Sequence, residues 1–291
     1  MQTLSNKPEH DNNRVQKQTR LGQISFINTL PVSLPLQRGA IKLDCEQVYD
    51  TPARLNEKLK SGELVLGAMS SFYFLEDGRF ELFRDISISG QGKVGSVILY
   101  SKTDLKALQQ KTVLVPNSSA TSIKLMQLLL KDEYGVELKL ETQNGKSENE
   151  SEQFADRQDL AGLLLIGDRA LKQDERLSAA NHLRIDLAQW WFNRFGLPFV
   201  FGVWGARKDW AETNREEFQR ISSSLIEASR LGLGSMFEEV VSEAVRISGL
   251  PTQRLNCYYQ NELDYRLKDE HDQSLALFGS LCKQHSLFSD S

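Results

Sequence analysis

The sequence predicts an α/β protein with two lobes that close as a hinged clamp, followed by a helical C-terminal region. Three features predict this fold class. Strand and helix patterns alternate in two separate segments; two long apolar runs, GSVILYSK and LPFVFGVWGAR, connect those segments; and the chain beyond Asp209 has helical periodicity. Because each long run is predicted to cross between the lobes, the clamp has two connections.

The first α/β unit begins after a polar N-terminal segment. GQISF and LDCEQVYD have the pattern of short strands, and Thr51-Pro52 is typical of a helix start, with a hydroxyl N-cap and proline at the first helical position. Gly62 marks the end of that helix, and ELVLGAM follows as a strand. The order strand, helix, strand predicts parallel pairing here. FELFRDISISG then predicts two short extended pieces.

The second unit repeats the alternation. TVLVP is a buried strand, NSSATS is a loop rich in hydroxyl residues, and IKLMQLLLKDEYG has apolar residues at helical spacing, with Gly135 as its C-cap. VELKL returns as a strand, and the polar run ETQNGKSENESEQ predicts a solvated loop. GLLLIGD and HLRIDL are further strands, and AQWWFNRFG is an aromatic helix whose side chains we expect in the core.

Three amphipathic segments follow Asp209, the last running from about Asn261 to Cys282. They predict a layer of helices that packs against the lobes. The predicted division of the chain is a disordered tail at 1–20, lobe I formed by 21–98 and 203–291, and lobe II formed by 99–202.

Composition and charge exclude several classes of protein. The net charge is −4, and basic residues do not cluster beside aromatic ones, which argues against nucleic-acid binding. The N-terminal residues lack the apolar stretch of a secretory signal, and apolar runs are too short to span a membrane, so we expect a cytoplasmic protein without a membrane partner. Three cysteines without CxxC spacing and four scattered histidines predict neither a disulfide frame nor a metal site, so no cofactor is expected.

Small hydrogen-bonding side chains follow three of the predicted strands. In open α/β sheets, ligands bind beyond the carboxyl ends of the strands, so these residues are candidates for one cleft. The third loop also opens a helix, whose free N–H groups favour an anion such as a carboxylate or phosphate. The candidate binding residues are Asn28, Thr29, Ser70, Ser71, Ser119, Thr121 and Ser122.

Each of these residues also has a purely structural interpretation. Serine and threonine before a helix are commonly N-caps, and Asn28 beside Pro31 could simply form a turn. Asp168, at the end of GLLLIGD, is a candidate acid or binding residue, but it could equally cap a helix. The convergence of three strand ends is what favours a ligand site.

Taken in order, the motifs resemble the chorismate dehydratase family of the futalosine route to menaquinone, a branch of the type II periplasmic-binding-protein fold. The resemblance covers residues 21 to about 282. It depends on ISFINTLP, YDTPARLNEKLKSGEL, the Ser70-Ser71 strand end, DISISGQGKVGSVILYSK, the SSATS loop with LMQLLL, LLIGDRAL and LPFVFGVWGAR.

The resemblance implies that the clamp closes on chorismate and removes water to give 3-[(1-carboxyvinyl)oxy]benzoate, without a cofactor. It also implies that Asn28 and Ser96 are catalytic. We hypothesise that Asn28 binds the enolpyruvyl side and helps the substrate's own carboxylate act as base, while Ser96 contacts a carboxylate or the departing hydroxyl. Charge neutralisation would come from backbone amides, or from Arg54 or Lys93 folding inward.

Two alternatives remain open at this point. The first is 1,4-dihydroxy-6-naphthoate synthase of the same pathway, which shares the fold and for which a histidine base would be expected in the cleft; the strand-end loops contain no histidine. The second is a cytoplasmic protein that binds an anion without chemistry. An assay for loss of water from chorismate separates these possibilities.

Overall fold

The structure, a computed structural model, describes residues 19–143, 150–179 and 182–288. The predicted disordered tail therefore lies outside the described residues, except that Arg20 already belongs to the first strand. Residues 144–149 of the predicted solvated loop are likewise outside them. Within the described ranges, no helix is both long and apolar enough to span a membrane.

Two mixed sheets of five strands form the two lobes, which confirms the predicted α/β fold class. In the first sheet the order is β2-β1-β3-β10-β4, with β1 parallel to both neighbours and β10 antiparallel to β3 and β4. Its strands are β1 Arg20–Ile24, β2 Glu46–Asp50, β3 Leu66–Ser70, β4 Phe80–Gly90 and β10 Phe199–Arg207.

The second sheet has the order β7-β6-β8-β5-β9. Strands β7, β6 and β8 are parallel, whereas β5 is antiparallel to β8 and β9. Because β8 lies between β5 and β6 and is covered on both faces, its sequence LAGLLLI is a continuous apolar run. The strands are β5 Val97–Ser101, β6 Thr112–Val115, β7 Lys139–Thr142, β8 Leu160–Ile166 and β9 Leu183–Asp186.

Helices follow most strands and cover the faces of the sheets. Those of the α/β units are α1 Leu30–Gln37, α2 Pro52–Ser61, α3 Ser71–Asp77, α4 Ala120–Tyr134, α5 Glu150–Asp156, α6 Gly167–Ala179 and α7 Leu187–Phe195. The C-terminal region contains α8 Lys208–Thr213, α9 Arg215–Leu233, α10 Phe237–Ser248, α11 Thr252–Cys257 and α12 Asp269–Gln284.

The predicted start of α2 and the predicted ends of α2 and α4 are confirmed by backbone conformation, whereas α4 begins at Ala120, inside the predicted NSSATS loop. Pro52 begins α2, and Gly62 and Gly135 adopt the left-handed conformation that ends α2 and α4. The hydroxyl of Thr51, however, makes no cap hydrogen bond. Instead, the Asp50 side chain accepts from the Thr51 N–H at 2.9 Å.

The two long apolar strands do not themselves cross between the lobes, contrary to our expectation. Residues 97–101 pair along their whole length with β8 and β9, and residues 199–207 pair with β3 and β4, so each strand belongs to one sheet. The chain passes between the sheets in two short segments, the first crossing at 91–96 and the second at 196–198. The predicted domain boundaries at residues 98 and 203 stay a prediction.

Two further elements differ from the predicted ones. FELFRDISISG is a single strand of 11 residues; Asp85 within it adopts the left-handed conformation, and the pairing of this strand with β10 shifts register at two places. The last predicted helix begins at Asp269 rather than near Asn261. Before it, Tyr258–Glu262 forms a π-helical turn, and Asp264 pairs with Ser89 of β4 through two backbone hydrogen bonds of 2.8 Å.

The core of the first lobe extends from the sheet to the C-terminal helices. Trp204 of β10 is fully buried, and its indole N–H donates to the buried Gln23 of β1 at 3.0 Å. In the second core, Trp191 of the aromatic helix α7 contacts Phe199 and Phe278 edge-on, with ring centroids 5.2 and 6.0 Å apart. Since Phe278 lies on α12, the C-terminal region packs against both lobes.

Helix α9 packs closely against α1 because Gly232 has no side chain. A Cβ atom at Gly232 would lie 2.6 Å from the carbonyl carbon of Pro31, which is closer than the non-bonded contacts of real Cβ atoms. Pro31 is in the first turn of α1, immediately after the turn that contains Asn28. The position of that turn therefore depends on this helix contact.

We predict that Gly232→Ala lowers the free energy of unfolding by about 1–3 kcal/mol, because overpacking forces α9 away from α1. Urea denaturation monitored by circular dichroism measures the change. Gly279→Ala in α12 is the matched control, since a Cβ there lies 3.4 Å from the flexible end of Leu75. An equal loss of stability in both variants would contradict the prediction.

Candidate active site

A cavity lies between the two lobes at the ends of their strands. We call it the cleft cavity. Five polar residues line it: Asn28, Ser70, Ser96, Ser119 and Ser122. The other lining residues are Ile24, Phe26, Pro52, Ile88, Val97, Ile166, Gly167, Phe201, Gly202 and Leu263. Among the described residues that line it, none has an ionisable side chain, so the cavity offers apolar surface and neutral hydrogen-bonding groups.

Four of the described helices begin at the wall of the cleft cavity. Pro52 is the first residue of α2, Ser70 is the N-cap of α3, Ser119 is the N-cap of α4, and Gly167 begins α6. The N-terminal end of a helix has a partial positive charge from its aligned peptide dipoles. The cavity therefore favours an anion although no cationic side chain lines it.

Ser70 retains a hydroxyl hydrogen to donate, because its oxygen already accepts two hydrogen bonds. The Asn56 side chain donates to Ser70 Oγ at 3.0 Å, and the backbone N–H of Tyr73 donates at 3.3 Å. A serine hydroxyl has one hydrogen and two lone pairs, so both lone pairs are occupied. Only the hydrogen remains for the cavity.

Ser96 and Ser122 each accept one hydrogen bond from another hydroxyl group. The hydroxyl of Tyr258 donates to Ser96 Oγ at 3.0 Å, and the hydroxyl of Ser119 donates to Ser122 Oγ at 2.9 Å. Ser119 Oγ also accepts from the N–H of Ser122 as a helix cap. Ser70, Ser96 and Ser122 thus each retain a hydrogen to donate, which suits a ligand with carboxylate oxygens.

Asn28 lies in a short 3-10 turn, Ile27–Thr29, between β1 and α1. Two tyrosine hydroxyls of the C-terminal region hold its backbone: Tyr259 donates to the carbonyl of Ile27 at 2.8 Å and Tyr265 to that of Asn28 at 2.7 Å. The side-chain Oδ1 of Asn28 is buried without a partner in the described structure. The carboxamide therefore has unused hydrogen-bonding capacity at the cavity wall.

Three of the predicted hydroxyl residues, Thr29, Ser71 and Thr121, do not line the cavity. The Thr29 hydroxyl oxygen lies 2.8 Å from the carbonyl oxygens of both Ile24 and Phe26, which share its single hydrogen, and this contact closes the turn. Ser71 donates to the carbonyl of Val200 at 2.6 Å, and Thr121 Oγ1 lies 3.3 Å from Ser71 Oγ. Because the only hydrogen of Ser71 goes to Val200, Thr121 is the donor of that second bond. These three hydroxyls therefore form hydrogen bonds within the protein and do not face the cavity.

Ser71 and Thr121 join the two lobes. Thr121 is in the first turn of α4 in the second lobe, and its hydroxyl also accepts from the N–H of Phe72 in α3 of the first lobe at 3.0 Å. All of these groups are buried. We therefore assign Ser71 and Thr121 to the contact between lobes, and their predicted role in substrate binding stays a prediction.

Asp168 lies in a wider groove that continues from the cleft cavity to the surface. We call it the outer groove; it shares Phe26, Ile166 and Gly167 with the cavity. Burial raises the pKa of Asp168 above its usual value. The exposed cations Arg54 and Lys172 also line this groove, whereas Lys93, the other predicted cation, lines neither space. The groove thus places charges of both signs at the entrance, with the cations Arg54, Arg169 and Lys172 beside the acidic residues Asp50, Glu57, Glu150 and Asp168.

None of the histidines in the described ranges lines the cleft cavity. His271 is buried 3.5 Å from Asp264, His285 lies 3.0 Å from Asp132, and the ring of His182 is 5.0 Å from that of Phe154. The described ranges also contain no group of three or more His, Cys, Asp or Glu side chains placed to hold a metal ion.

The sequence did not indicate the C-terminal contributions to the site. Leu263 lines the cleft cavity, and Tyr258, Tyr259 and Tyr265 donate hydrogen bonds to the residues around it. All four lie in a segment predicted mostly as helix. The clustering of tyrosines in YYQNELDY was the one available signal.

Comparison with known proteins is consistent with this geometry. A protein family described as "Menaquinone biosynthesis" matches residues 19–284. A curated relative from Thermus thermophilus, named "Chorismate dehydratase", is 33% identical over 245 residues, which cover 79% of this chain and 83% of the relative.

Solved structures share the fold at low sequence identity. A structural-genomics protein from Archaeoglobus fulgidus has a TM-score of 0.71 at 18% identity, covering 92% of this chain and 98% of that one. The alkanesulfonate-binding protein from Xanthomonas axonopodis, bound to MOPS, has a TM-score of 0.66 at 15% identity, covering 94% of each chain. The periplasmic aliphatic sulphonate binding protein from Escherichia coli has a TM-score of 0.61 at 13% identity, covering 93% and 88%.

The hydroxyl contact between the lobes predicts a loss of stability when Thr121 is changed. In Thr121→Val the buried N–H of Phe72 loses its acceptor, which should lower the free energy of unfolding by about 1–3 kcal/mol. Thr213→Val is the matched control, because the Thr213 hydroxyl donates to a backbone carbonyl on the exposed surface of α8. Urea denaturation compares both variants with the parent protein. Equal stability of all three would contradict the assignment of Thr121.

Proposed function

The chain belongs to the menaquinone biosynthesis family, and from this premise we propose that it is a chorismate dehydratase, a hydro-lyase that converts chorismate to 3-[(1-carboxyvinyl)oxy]benzoate. The relative from Thermus thermophilus supports this assignment. We place the reaction in the cytoplasm and assign it no cofactor.

The absence of ionisable side chains from the described wall of the cleft cavity is the observation that carries the proposal. Dehydration removes a proton from the ring carbon that bears the enolpyruvyl ether and a hydroxide from the neighbouring carbon. The C–H electron pair enters the ring, which becomes aromatic, and the C–O pair leaves with the oxygen. A base is needed, and the lining residues supply none. The substrate's own carboxylate fits that role.

The hydrogen-bond donors match the rest of the substrate. Chorismate has two carboxylates and one ring hydroxyl, and the cavity presents hydroxyl hydrogens from Ser70, Ser96 and Ser122 beside helix N-termini. The apolar side chains between them, such as Phe26 and Ile88, suit the faces of the ring. Donors fixed before the substrate arrives stabilise charge without reorganisation during the reaction.

We assign Asn28 and Ser96 separate roles. The Nδ2 of Asn28 donates to the enolpyruvyl carboxylate and holds this carboxylate beside the ring hydrogen that the carboxylate removes. Ser96 donates its free hydrogen to the departing hydroxyl, where negative charge develops as the C–O bond breaks. Correct placement of these groups can supply much of the rate enhancement, because the reacting carboxylate is part of the substrate.

The naphthoate synthase alternative receives no support from the site, because its expected histidine base is missing from the described cavity wall. A binding protein without activity is distinguished by experiment. Purified protein is incubated with chorismate, and the product is followed by mass spectrometry. A dehydratase releases one water per chorismate, whereas a binder only raises the melting temperature. Intact chorismate after prolonged incubation with folded protein would refute the proposed activity.

We predict that Asn28→Ala lowers kcat by at least about 100-fold, as expected for removal of one preorganised group at a reacting centre. The fold should persist, since the turn is held through its backbone by Tyr259 and Tyr265. Steady-state kinetics measure the loss, and circular dichroism checks the fold. Asn193→Ala on the exposed face of α7 is the control. Near-normal turnover by Asn28→Ala would exclude its catalytic role.

The cations of the outer groove give a separate prediction about substrate capture. Arg54→Gln and Lys172→Gln should each raise KM about 3- to 10-fold at low ionic strength with little change in kcat, because they attract a dianion toward the cavity. Added salt should reduce the difference. Lys60→Gln, which changes an exposed cation at the end of α2 outside the groove, is the matched control. A KM that is the same in all variants at low salt would argue against this role.

A further inference from the structure

The hydrogen bond between Tyr258 and Ser96 connects the C-terminal region to the proposed reaction. Tyr258 is on the π-helical turn, its side chain is 0% exposed, and its hydroxyl lies 3.0 Å from Ser96 Oγ. Burial raises the pKa of the Tyr258 hydroxyl, which therefore stays protonated and keeps its hydrogen for Ser96.

The backbone of Ser96 is fixed independently by the second lobe. Ser96 is the last residue of the first crossing, and its carbonyl accepts from the N–H of Gly167 at 2.7 Å. The carboxylate of Asp186 accepts from the N–H groups of Gly95 at 2.7 Å and Val94 at 3.1 Å. With the backbone held, the remaining freedom of Ser96 is mainly rotation about its side-chain bonds.

Tyr258 is itself held in place by its neighbours. The Arg254 guanidinium lies 5.7 Å from the centre of the Tyr258 ring and pairs with Glu262 at 2.8 Å. This pair packs against Gly95, where a Cβ would collide with Arg254 and lie 3.0 Å from Glu262 Oε2. The turn and the first crossing therefore fit together closely.

We propose that Tyr258 is a positioning residue for dehydration: by donating to Ser96 Oγ, it fixes the direction of the Ser96 hydrogen toward the departing hydroxyl of the substrate. This inference rests on the proposed function. Without the phenol hydroxyl, the Ser96 hydroxyl can rotate among its staggered positions, and only some of them face the substrate.

The test is a double-mutant cycle with Tyr258→Phe, Ser96→Ala and the double variant. Tyr258→Phe keeps the buried ring and should lower kcat about tenfold, with KM changed by less than about twofold, because one hydrogen bond in the transition state is misdirected. In the Ser96→Ala background, Tyr258→Phe should cause no further loss of kcat. The double variant should also be more stable than Ser96→Ala alone, since it removes an unpaired buried hydroxyl.

Tyr49→Phe is the matched control, because the Tyr49 hydroxyl donates to Gln47 on β2 at 2.7 Å and does not contact the cavity. Losses of kcat that multiply in the double variant, or normal turnover by Tyr258→Phe, would overturn the role of Tyr258 and leave the proposed function intact. Failure of the parent protein itself to release water from chorismate would overturn both.

Discussion

The buried carboxylate of Asp186 is the interaction on which the geometry of the cleft depends. One of its oxygens accepts from the N–H groups of Val94 and Gly95 in the first crossing, and the other accepts from those of Ala188 and Gln189 at the start of α7. Burial raises the pKa of this carboxyl although these hydrogen bonds act in the opposite direction. A single side chain thereby joins the crossing to the second lobe and sets where Ser96 stands.

In the proposed function, the cleft binds its anion with neutral groups rather than with cationic side chains. Helix N-termini and oriented hydroxyls surround the space, and the exposed cations lie outside it in the outer groove. This arrangement has a chemical advantage for a substrate that supplies its own base. A lysine or arginine paired with the reacting carboxylate would lower its basicity, whereas neutral donors hold it with less effect on its pKa. Binding and reactivity are thus compatible in one site.

Local patterns in the sequence were sufficient for the two α/β units, the glycine C-caps of α2 and α4, and the convergence of strand ends at one cleft. They could not tell which hydroxyls at those strand ends face a ligand. Ser70 and Ser71 are adjacent, yet Ser70 lines the cavity and Ser71 bonds to Val200 in another strand, because neighbouring side chains point in different directions.

Tyr258 was not predictable either, since its partner Ser96 is 162 residues away in the chain. The extended segment around Asp264 was predicted as helix because its pairing with Ser89 is a tertiary contact that no local pattern records.

The hydrogen bonds of Tyr258, Tyr259 and Tyr265 determine when the proposed site is completed during synthesis of the chain. Asn28 and Ser96 leave the ribosome early, whereas the hydroxyls that hold Ile27, Asn28 and Ser96 arrive only with residues 258–265. A nascent chain that already contains both sheets still lacks these three hydrogen bonds. The proposed reaction centre is therefore completed only late in translation, when residues 258–265 have been synthesised.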